Sequence, residues 1–195
     1  MKLTERLIEL SGIPDHASIA DLGCGNGIVC DFLHHKEFQA TGIDQEIRFR
    51  KSEDIGFVQG NFHNLPLSTN FFDAVMMECV LSIQDDPSAG LSEAHRILKQ
   101  SGLLLLSDLY LQSDQDNSYR LHTKNLYLEV IQKAGFQIIL WEDHTRELRN
   151  LIFEILWEQV LTESFCISNG QHGIKGSKNL GYFILIGRKN AQSCI

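Results

Sequence analysis

The segment Ala20–Gly27, A-D-L-G-C-G-N-G, carries the strongest structural signal in this chain. An apolar run ends at Asp21-Leu22, glycines follow at alternate positions, and a helical pattern of apolar residues begins at Ile28. Glycine permits positive φ and leaves room for a ligand against the backbone, and the N–H groups of a helix N-terminus favour anionic groups. The segment therefore predicts a buried strand that turns into a helix, with a ligand at the turn.

The spacing of the glycines narrows the class of ligand. A dinucleotide fingerprint requires glycine at its first, third and sixth positions, with a pyrophosphate at the helix N-terminus. Here the sixth position is Ile28, and Asp21 precedes the first glycine. The pattern D-x-G-x-G-x-G suits a ligand with an amino acid head better than a diphosphate. The alternative for Asp21 is that it only closes the turn.

Composition and charge exclude several classes of function. The 195 residues are enough for one domain with a full core, and 43% of them are hydrophobic. No apolar run approaches the ~20 residues of a membrane-spanning helix, and the N-terminus does not resemble a signal peptide, so we expect no membrane partner. The net charge of −8, without a lysine or arginine cluster, argues against a nucleic-acid partner.

Cysteine usage indicates a reducing compartment. The five cysteines lie at positions 24, 30, 79, 166 and 194 and form no C-x-x-C pair. An odd number without pairs argues against a disulfide framework and against a structural zinc site. We therefore expect free thiols, no metal ion and a cytoplasmic location.

Apolar strands alternate with helices along the chain. The predicted strands are Ser18–Leu22, Phe38–Ile43, Phe57–Gln59, Phe71–Met77, Gly102–Leu106, Phe136–Trp141 and Leu180–Gly187. Helical patterns separate most of them, beginning with Thr4–Leu10 behind a Thr4 cap. This alternation predicts an α/β fold with a doubly wound, mostly parallel sheet.

Polar residues follow five of these strands at the ends where such folds bind ligands. They are Asp21–Gly27, Asp44, Asn61-Phe62, Glu78-Cys79 and Asp108–Tyr110. Asp44 ends the strand after the glycine turn, a position that suits a ribose diol. The alternative for Asp44 is a helix cap for Gln45 and the residues after it. We expect all five groups to lie at one edge of the sheet.

These motifs together resemble the class I S-adenosylmethionine-dependent methyltransferases. D-L-G-C-G-N-G matches the first motif of that family, G-I-D places Asp44 at its ribose-binding acid, and G-N-F-H-N-L-P-L places Asn61 at the adenine position. F-F-D-A-V-M-M and A-H-R-I-L-K-Q-S-G-L-L-L-L-S-D are similar to its fourth strand, helix and fifth strand. Within the family, E-C-V-L-S-I-Q-D-D-P resembles the quinone-biosynthesis and arsenite methyltransferase branch. The resemblance covers Ser18–Asp108.

The resemblance implies a Rossmann-like fold of seven strands whose last strand is antiparallel, and S-adenosylmethionine as cofactor. The implied cofactor-binding residues are Asp21, Gly23, Cys24, Gly25, Gly27, Asp44, Gln45, Asn61, Phe62 and Glu78. Backbone N–H groups of the glycine turn would hold the carboxylate, Asp21 the ammonium group and Asp44 the ribose. Asn61 and Phe62 would contact the adenine.

The acceptor is expected to be a small molecule that is methylated by in-line displacement, for which positioning matters more than a base. For an alcohol or phenol, Glu78, Asp108, His63 or Tyr110 are candidates for taking the proton. Cys79 is the further catalytic candidate, because a thiolate binds soft elements such as arsenic, with Cys166 as the evident second thiol. Two other classes stay open: an accessory protein that binds cofactor without turnover, and a nicotinamide oxidoreductase.

The chain is interpreted as a single methyltransferase domain, 1–195, with a short N-terminal helix within 1–16. An insertion, 142–179, precedes the last strand and consists of a helix that is apolar nearly all round and a glycine-rich loop. Such a helix is buried, or it covers a pocket or a partner. We expect the insertion to be a lid over the acceptor or the interface of a homodimer.

Overall fold

A computed structural model of the protein describes residues 1–46, 54–62, 64–84, 86–113, 121–162 and 179–190. The helices are α1 (Lys2–Ser11), α2 (Ile28–His35), α3 (Pro87–Ile97), α4 (Lys124–Lys133) and α5 (Thr145–Thr162), with a short 3₁₀ helix at Leu81–Ile83. The strands are β1 (Ser18–Leu22), β2 (Gln39–Asp44), β3 (Gly56–Gln59), β4 (Phe72–Glu78), β5 (Leu98–Leu111), β6 (Phe136–Asp143) and β7 (Leu180–Lys189). His63 and Cys166 lie outside the described residues.

The strands form one seven-stranded sheet in the order β3-β2-β1-β4-β5-β7-β6. The pairs from β3 to β5 are parallel, and β7 is antiparallel to both of its neighbours, β5 and β6. This arrangement confirms the predicted fold class, including the antiparallel last strand. The carboxyl ends of β2, β1, β4 and β5 meet at one edge, which we call the carboxyl edge. Because β7 is antiparallel to β5, its first residues lie at the same edge.

Helices cover both faces of the sheet, since neighbouring side chains of a strand point to opposite faces. In β5, Leu104 and Leu106 belong to the core under α3 and α4, and Leu103 and Leu105 to the core under α1 and α2. Both cores consist of apolar side chains. Because helices cover both faces, ligands can reach the sheet only at its edges.

Two local predictions differ from the structure, and for a third the structure removes one of two alternatives. Strand β5 is longer than Gly102–Leu106, because it continues to Leu111 in its antiparallel pairing with β7. Thr4 is not a cap, because α1 begins at Lys2 and the Thr4 side chain is buried inside it. Helix α5 is not buried all round, because the side chains of Leu151 and Phe153 are 52% and 66% exposed.

Burial on the α1 and α2 face supplies a test of this packing. Ile184 in β7 is fully buried, whereas Ile139 in β6 is 48% exposed. We expect Ile184→Ala to lower the free energy of unfolding by about 2–5 kcal/mol, because it leaves a cavity in the core. The matched change Ile139→Ala should cost no more than about 0.5 kcal/mol. Equal losses in urea unfolding of the two variants would contradict the assignment of the core.

Candidate active site

The glycine turn after β1 forms as the sequence predicts. Gly23, Gly25 and Gly27 all have positive φ, at 82°, 52° and 78°. A Cβ atom at Gly23 would lie 2.5 Å from Val80 Cγ2, so this position requires glycine for space as well as for conformation. Helix α2 begins directly after Gly27. The turn therefore brings bare backbone against the residues that follow β4.

The backbone N–H groups of this turn are engaged within the protein. Those of Gly23 and Cys24 donate to the Ile43 carbonyl oxygen at 2.7 and 3.1 Å, and that of Gly27 donates to the Cys24 oxygen at 2.8 Å. The Gly25 N–H donates to Asp44 Oδ2 at 2.9 Å. That the N–H groups of Gly23–Gly27 hold a ligand carboxylate therefore stays a prediction, and in this structure four of these groups already have an acceptor within the protein.

Asp44 joins the ends of β1 and β2. Besides the bond from Gly25, its Oδ1 accepts a hydrogen bond from the Glu46 N–H at 3.0 Å. Both interpretations of Asp44, the ribose-binding acid and the cap, are compatible with this position. Asp44 stabilises the turn after β2 and also lies at the carboxyl edge. A carboxylate accepts about four hydrogen bonds, so capacity remains for a diol.

A cavity of about 780 Å³ opens at this edge. It brings together six residues predicted from sequence: Gly23, Gly25, Asp44, Gln45, Phe62 and Cys79. It also includes five that sequence reasoning missed: Asn26, Glu46, Val80, Ile83 and Gln84. The volume lies in the range of small-molecule sites. The other predicted site residues that the structure describes do not line this cavity.

A buried carboxylate, Asp21, and a half-buried one, Glu78, lie at the carboxyl ends of β1 and β4. Asp21 is 2% exposed, and burial raises its pKa to about 7, although the Cys30 thiol, 3.3 Å away, opposes the shift. Burial also raises the pKa of Glu78, although a hydrogen bond with the Thr4 side chain lowers it. Glu78 Oε1 is buried and accepts no hydrogen bond from the described residues. This pair fits a cationic ligand group, because a cation would satisfy both carboxylates.

Asp108 holds the loop that follows β4. Its Oδ2 accepts hydrogen bonds from the Leu81 and Ser82 N–H groups at 2.8 and 3.0 Å, and its Oδ1 from its neighbour Leu109 at 2.7 Å. Burial raises its pKa, and these bonds lower it. The residue thereby shapes the wall of the cavity formed by Val80 and Ile83. A catalytic role for Asp108 stays a prediction.

Tyr110 lies on the face of the sheet under α3 and α4. Its hydroxyl donates to Asp143, and its ring packs edge-on against Trp141 and Phe183. It does not line the described cavity. Its catalytic role also stays a prediction, and its evident contribution is to fix the end of β6.

Cys79 connects the cavity to a residue that sequence reasoning missed. It has a left-handed backbone with φ of 52°, and its N–H donates to the Ser107 carbonyl oxygen at 2.8 Å. Its Sγ lies 3.6 Å from Tyr182 Oη, which donates to Ser107 Oγ at 3.0 Å. A lone hydroxyl in the last apolar strand was the only signal for Tyr182.

Other site types find no support in the part of the chain that the structure describes. No group of three or more histidine, cysteine or acidic side chains is arranged to hold a metal ion there. No helix within that part has the length and apolar character needed to cross a bilayer.

The glycine turn and the acid at the end of β2 lie in one site at the carboxyl edge of the sheet. Residues 20–106 match the methyltransferase domain family. These residues carry the domain of the class I S-adenosylmethionine-dependent methyltransferases. This confirms the resemblance read from the strand-end motifs. The matched residues end two positions before Asp108, so the family match covers the same part of the chain as those motifs.

Relatives of this methyltransferase domain include both predicted branches. Demethylmenaquinone methyltransferase of Thermotoga maritima is 30% identical over 115 residues, which cover 55% of this chain and 50% of the relative. Human arsenite methyltransferase is 28% identical over 136 residues, which cover 56% of this chain and 36% of the relative. The chain thus spans about half the length, or less, of these two curated relatives.

Solved structures share the methyltransferase fold over nearly the whole chain. The [4+2]-cyclase SpnF superposes with a TM-score of 0.81 at 24% identity, covering 97% of this chain and 80% of that one. Phosphoethanolamine N-methyltransferase 2 of Haemonchus contortus, in complex with S-adenosyl-L-methionine, has a TM-score of 0.79 at 16% identity, covering 97% and 53%. At these identities the likeness concerns the fold alone.

The buried carboxylate of Asp21 gives the site a pH signature. Unfolded Asp21 loses its proton near pH 4, and folded Asp21 near pH 7, so the folded state binds the extra proton between these values. The contribution of Asp21 to the stability of the ligand-free protein therefore falls as pH rises from 4 to 7. Asp21→Asn removes this loss and should gain stability relative to wild type, by up to about 4 kcal/mol at pH 8 and far less at pH 4.

Urea unfolding at several pH values measures this difference. Asp15→Asn is the matched control, because Asp15 is exposed and lies away from the cavity. Its stability should follow that of wild type at every pH. A constant difference between Asp21→Asn and wild type from pH 4 to pH 8 would contradict the burial argument.

Proposed function

We propose that this protein binds S-adenosylmethionine at the carboxyl edge and transfers its methyl group to a small-molecule acceptor. The observation that carries the proposal is the hydrogen bond from the Gly25 N–H to Asp44 Oδ2, 2.9 Å long. It joins the glycine turn and the ribose-type acid in the wall of one cavity. Family membership supports the same ligand.

Each polar group of the cofactor has a candidate partner. Asp44 would accept the ribose hydroxyls, and Phe62 would pack against the adenine, with Asn61 as its hydrogen-bonding neighbour. Asp21 and Glu78 would stabilise the ammonium group. Gln45 lines the cavity next to Asp44 and lies beside the ribose in this arrangement.

The carboxylate of the cofactor needs a donor other than the engaged N–H groups of the turn. Asn26 lines the cavity between two of the glycines and carries a side-chain amide of two N–H donors. We assign the carboxylate to Asn26. Cys24 keeps a structural role, because its side chain is buried behind the turn.

The bound cofactor supplies a methyl group already activated by a sulfonium. The chain has to hold an acceptor in line with it at about 3–3.5 Å and to exclude water, which accounts for several kcal/mol of rate enhancement. Val80 and Ile83, on the loop held by Asp108, form the apolar side of the cavity. No protein base is required when the acceptor is a good nucleophile.

Arsenite is the alternative acceptor, favoured by Cys79, which is accessible at the cavity. A soft-element site requires further thiolates. Cys24 and Cys30 are buried, and Cys166 lies outside the described residues. Burial also raises the pKa of the Cys79 thiol, which disfavours the thiolate. An organic acceptor is therefore the better supported proposal.

The insertion 142–179 is proposed to cover the acceptor. Helix α5 starts at the carboxyl edge, where Asp143 accepts hydrogen bonds from the Thr145 N–H and hydroxyl at 3.1 and 3.0 Å. Leu151 and Phe153 stay exposed on it, as expected of a surface that meets a ligand or a partner. The homodimer has no support in the comparisons, and sedimentation of the purified protein tests it.

We also propose that the protein is cytoplasmic, consists of one domain and acts on neither nucleic acid nor membrane. Net charge and cysteine usage support it. Cys24, Cys30 and Cys79 are all free thiols.

Calorimetric titration with S-adenosylhomocysteine tests the cofactor site. We expect Asp44→Ala to weaken binding by about 10- to 100-fold, because hydrogen bonds to a charged acceptor are lost. Asp15→Ala is the matched control and should bind like wild type. Full-affinity binding by Asp44→Ala would refute the site assignment.

Turnover separates an enzyme from an accessory protein. With a panel of small acceptors, consumption of S-adenosylmethionine is expected to depend on the acceptor. Binding of the nucleoside without consumption of cofactor would favour the accessory role.

A further inference from the structure

A row of polar side chains crosses four adjacent strands at the carboxyl edge. Its members are Asp21 on β1, Glu78 on β4, Ser107 on β5 and Tyr182 on β7. Each lies two residues from an apolar side chain of the core under α1 and α2, namely Ile19, Met76, Leu105 and Ile184. Because side chains alternate along a strand, the four polar groups share one face of the sheet.

The row divides into a cofactor half and a second half. The glycine turn and Asp44 lie at the ends of β1 and β2, so the proposed cofactor occupies that half of the edge. The part over β5 and β7 then remains for the acceptor, and Glu78 on β4 lies between the two halves. Cys79 lines the cavity at the boundary between the two halves.

Tyr182 is oriented by its neighbours. Its hydroxyl donates to Ser107 Oγ at 3.0 Å, and Ser107 is 1% exposed. The phenol proton is thereby directed into the protein. The phenol oxygen then accepts from the thiol of Cys79, whose Sγ is 3.6 Å away at the cavity wall. A hydroxyl oxygen has two acceptor lone pairs, so one remains for a ligand N–H that reaches past Cys79.

Neither Tyr182 in the second half of the row nor Cys79 at its boundary is available as a base at neutral pH. Burial raises the pKa of the Tyr182 phenol and of the Cys79 thiol, so both are neutral at neutral pH. Glu78 lies beside them, directly opposite Ser107 in the pairing of β4 with β5. Its Oε1 accepts no hydrogen bond from the described residues.

We propose that the acceptor is a neutral amine and that Tyr182 selects and orients it. The inference rests on the proposed function. An amine N–H would donate to Tyr182 Oη, which leaves the nitrogen lone pair for the methyl group. The N–C bond forms as the C–S bond of the cofactor breaks, and that electron pair leaves with sulfur. The product is an ammonium ion, which loses a proton to water.

The charges at the edge fit this acceptor. Positive charge moves from the sulfonium to the nitrogen, and the carboxylate of Glu78 is close to where it arrives. Among the described residues that line the cavity, Asp44 and Glu46 are acidic and none is a lysine or arginine. A phosphate or carboxylate acceptor would meet repulsion there.

The test compares wild type with Tyr182→Phe. Tyr127→Phe is the matched control, because it removes another buried tyrosine hydroxyl, one that donates to the Leu109 carbonyl oxygen. The probes are benzylamine, N-methylbenzylamine, 2-naphthol and sodium arsenite, each with methyl-deuterated S-adenosylmethionine. Mass spectrometry of the products shows which atom receives the label.

We expect label on the amines alone, with kcat/KM rising about tenfold per pH unit below the pKa of the amine, since the free base reacts. Tyr182→Phe should lower kcat/KM for the amines by about tenfold or more, and Tyr127→Phe should not. Binding of S-adenosylhomocysteine should be equal in all three proteins.

A second readout does not depend on turnover. With S-adenosylhomocysteine bound, benzylamine should slow the alkylation of Cys79 by iodoacetamide in wild type, and Tyr182→Phe should need about tenfold more amine for the same protection. Peptide mapping assigns the alkylated cysteine.

Three results would overturn the inference: label only on the naphthol or arsenite, no labelled amine although S-adenosylhomocysteine binds, or equal behaviour of Tyr182→Phe and wild type. Failure to bind S-adenosylhomocysteine would instead overturn the proposed function, so the two failures are distinguishable.

Discussion

The hydrogen bonds that join the end of β1 to the end of β2 hold the whole site together. Gly23 and Cys24 donate to the Ile43 carbonyl oxygen, and Gly25 donates to Asp44. These bonds fix the glycine turn against the neighbouring strand. Val80 then packs so close to Gly23 that a Cβ atom would not fit between them. Because the turn uses its donors inside the protein, a ligand meets a preformed surface and the side chains around it.

Most of the fold was predictable because its signals are local. Near-continuous apolar runs such as Phe72–Met77 indicate buried parallel strands, and the helices between them follow from apolar spacing. The end of β5 was missed because its last residues owe their strand conformation to pairing with β7, which is distant in sequence. For α5 the sequence left two alternatives open, burial or a covering role, because apolar composition does not reveal what covers a helix.

The residues of the candidate site also divide into those with a local sequence signal and those without one. Gly23, Gly25, Asp44 and Phe62 were found because each ends a strand within a motif of fixed spacing. Tyr182 has no motif, and it reaches Cys79 only because β7 returns antiparallel to β5. Residues that position an acceptor depend on such long-range pairing, so they are the ones that sequence patterns leave out.

The buried acids explain why the edge is suited to a cation. Asp21 and Glu78 have raised pKa values because burial disfavours their charged forms, and Asp44 adds to the shift of Asp21. Ionisation near neutral pH therefore costs the ligand-free protein stability. A bound cation reverses this cost, since it favours the ionised carboxylates. The same charges that destabilise the empty edge thus contribute to ligand affinity, and methyl transfer to an amine would keep a positive charge beside them throughout.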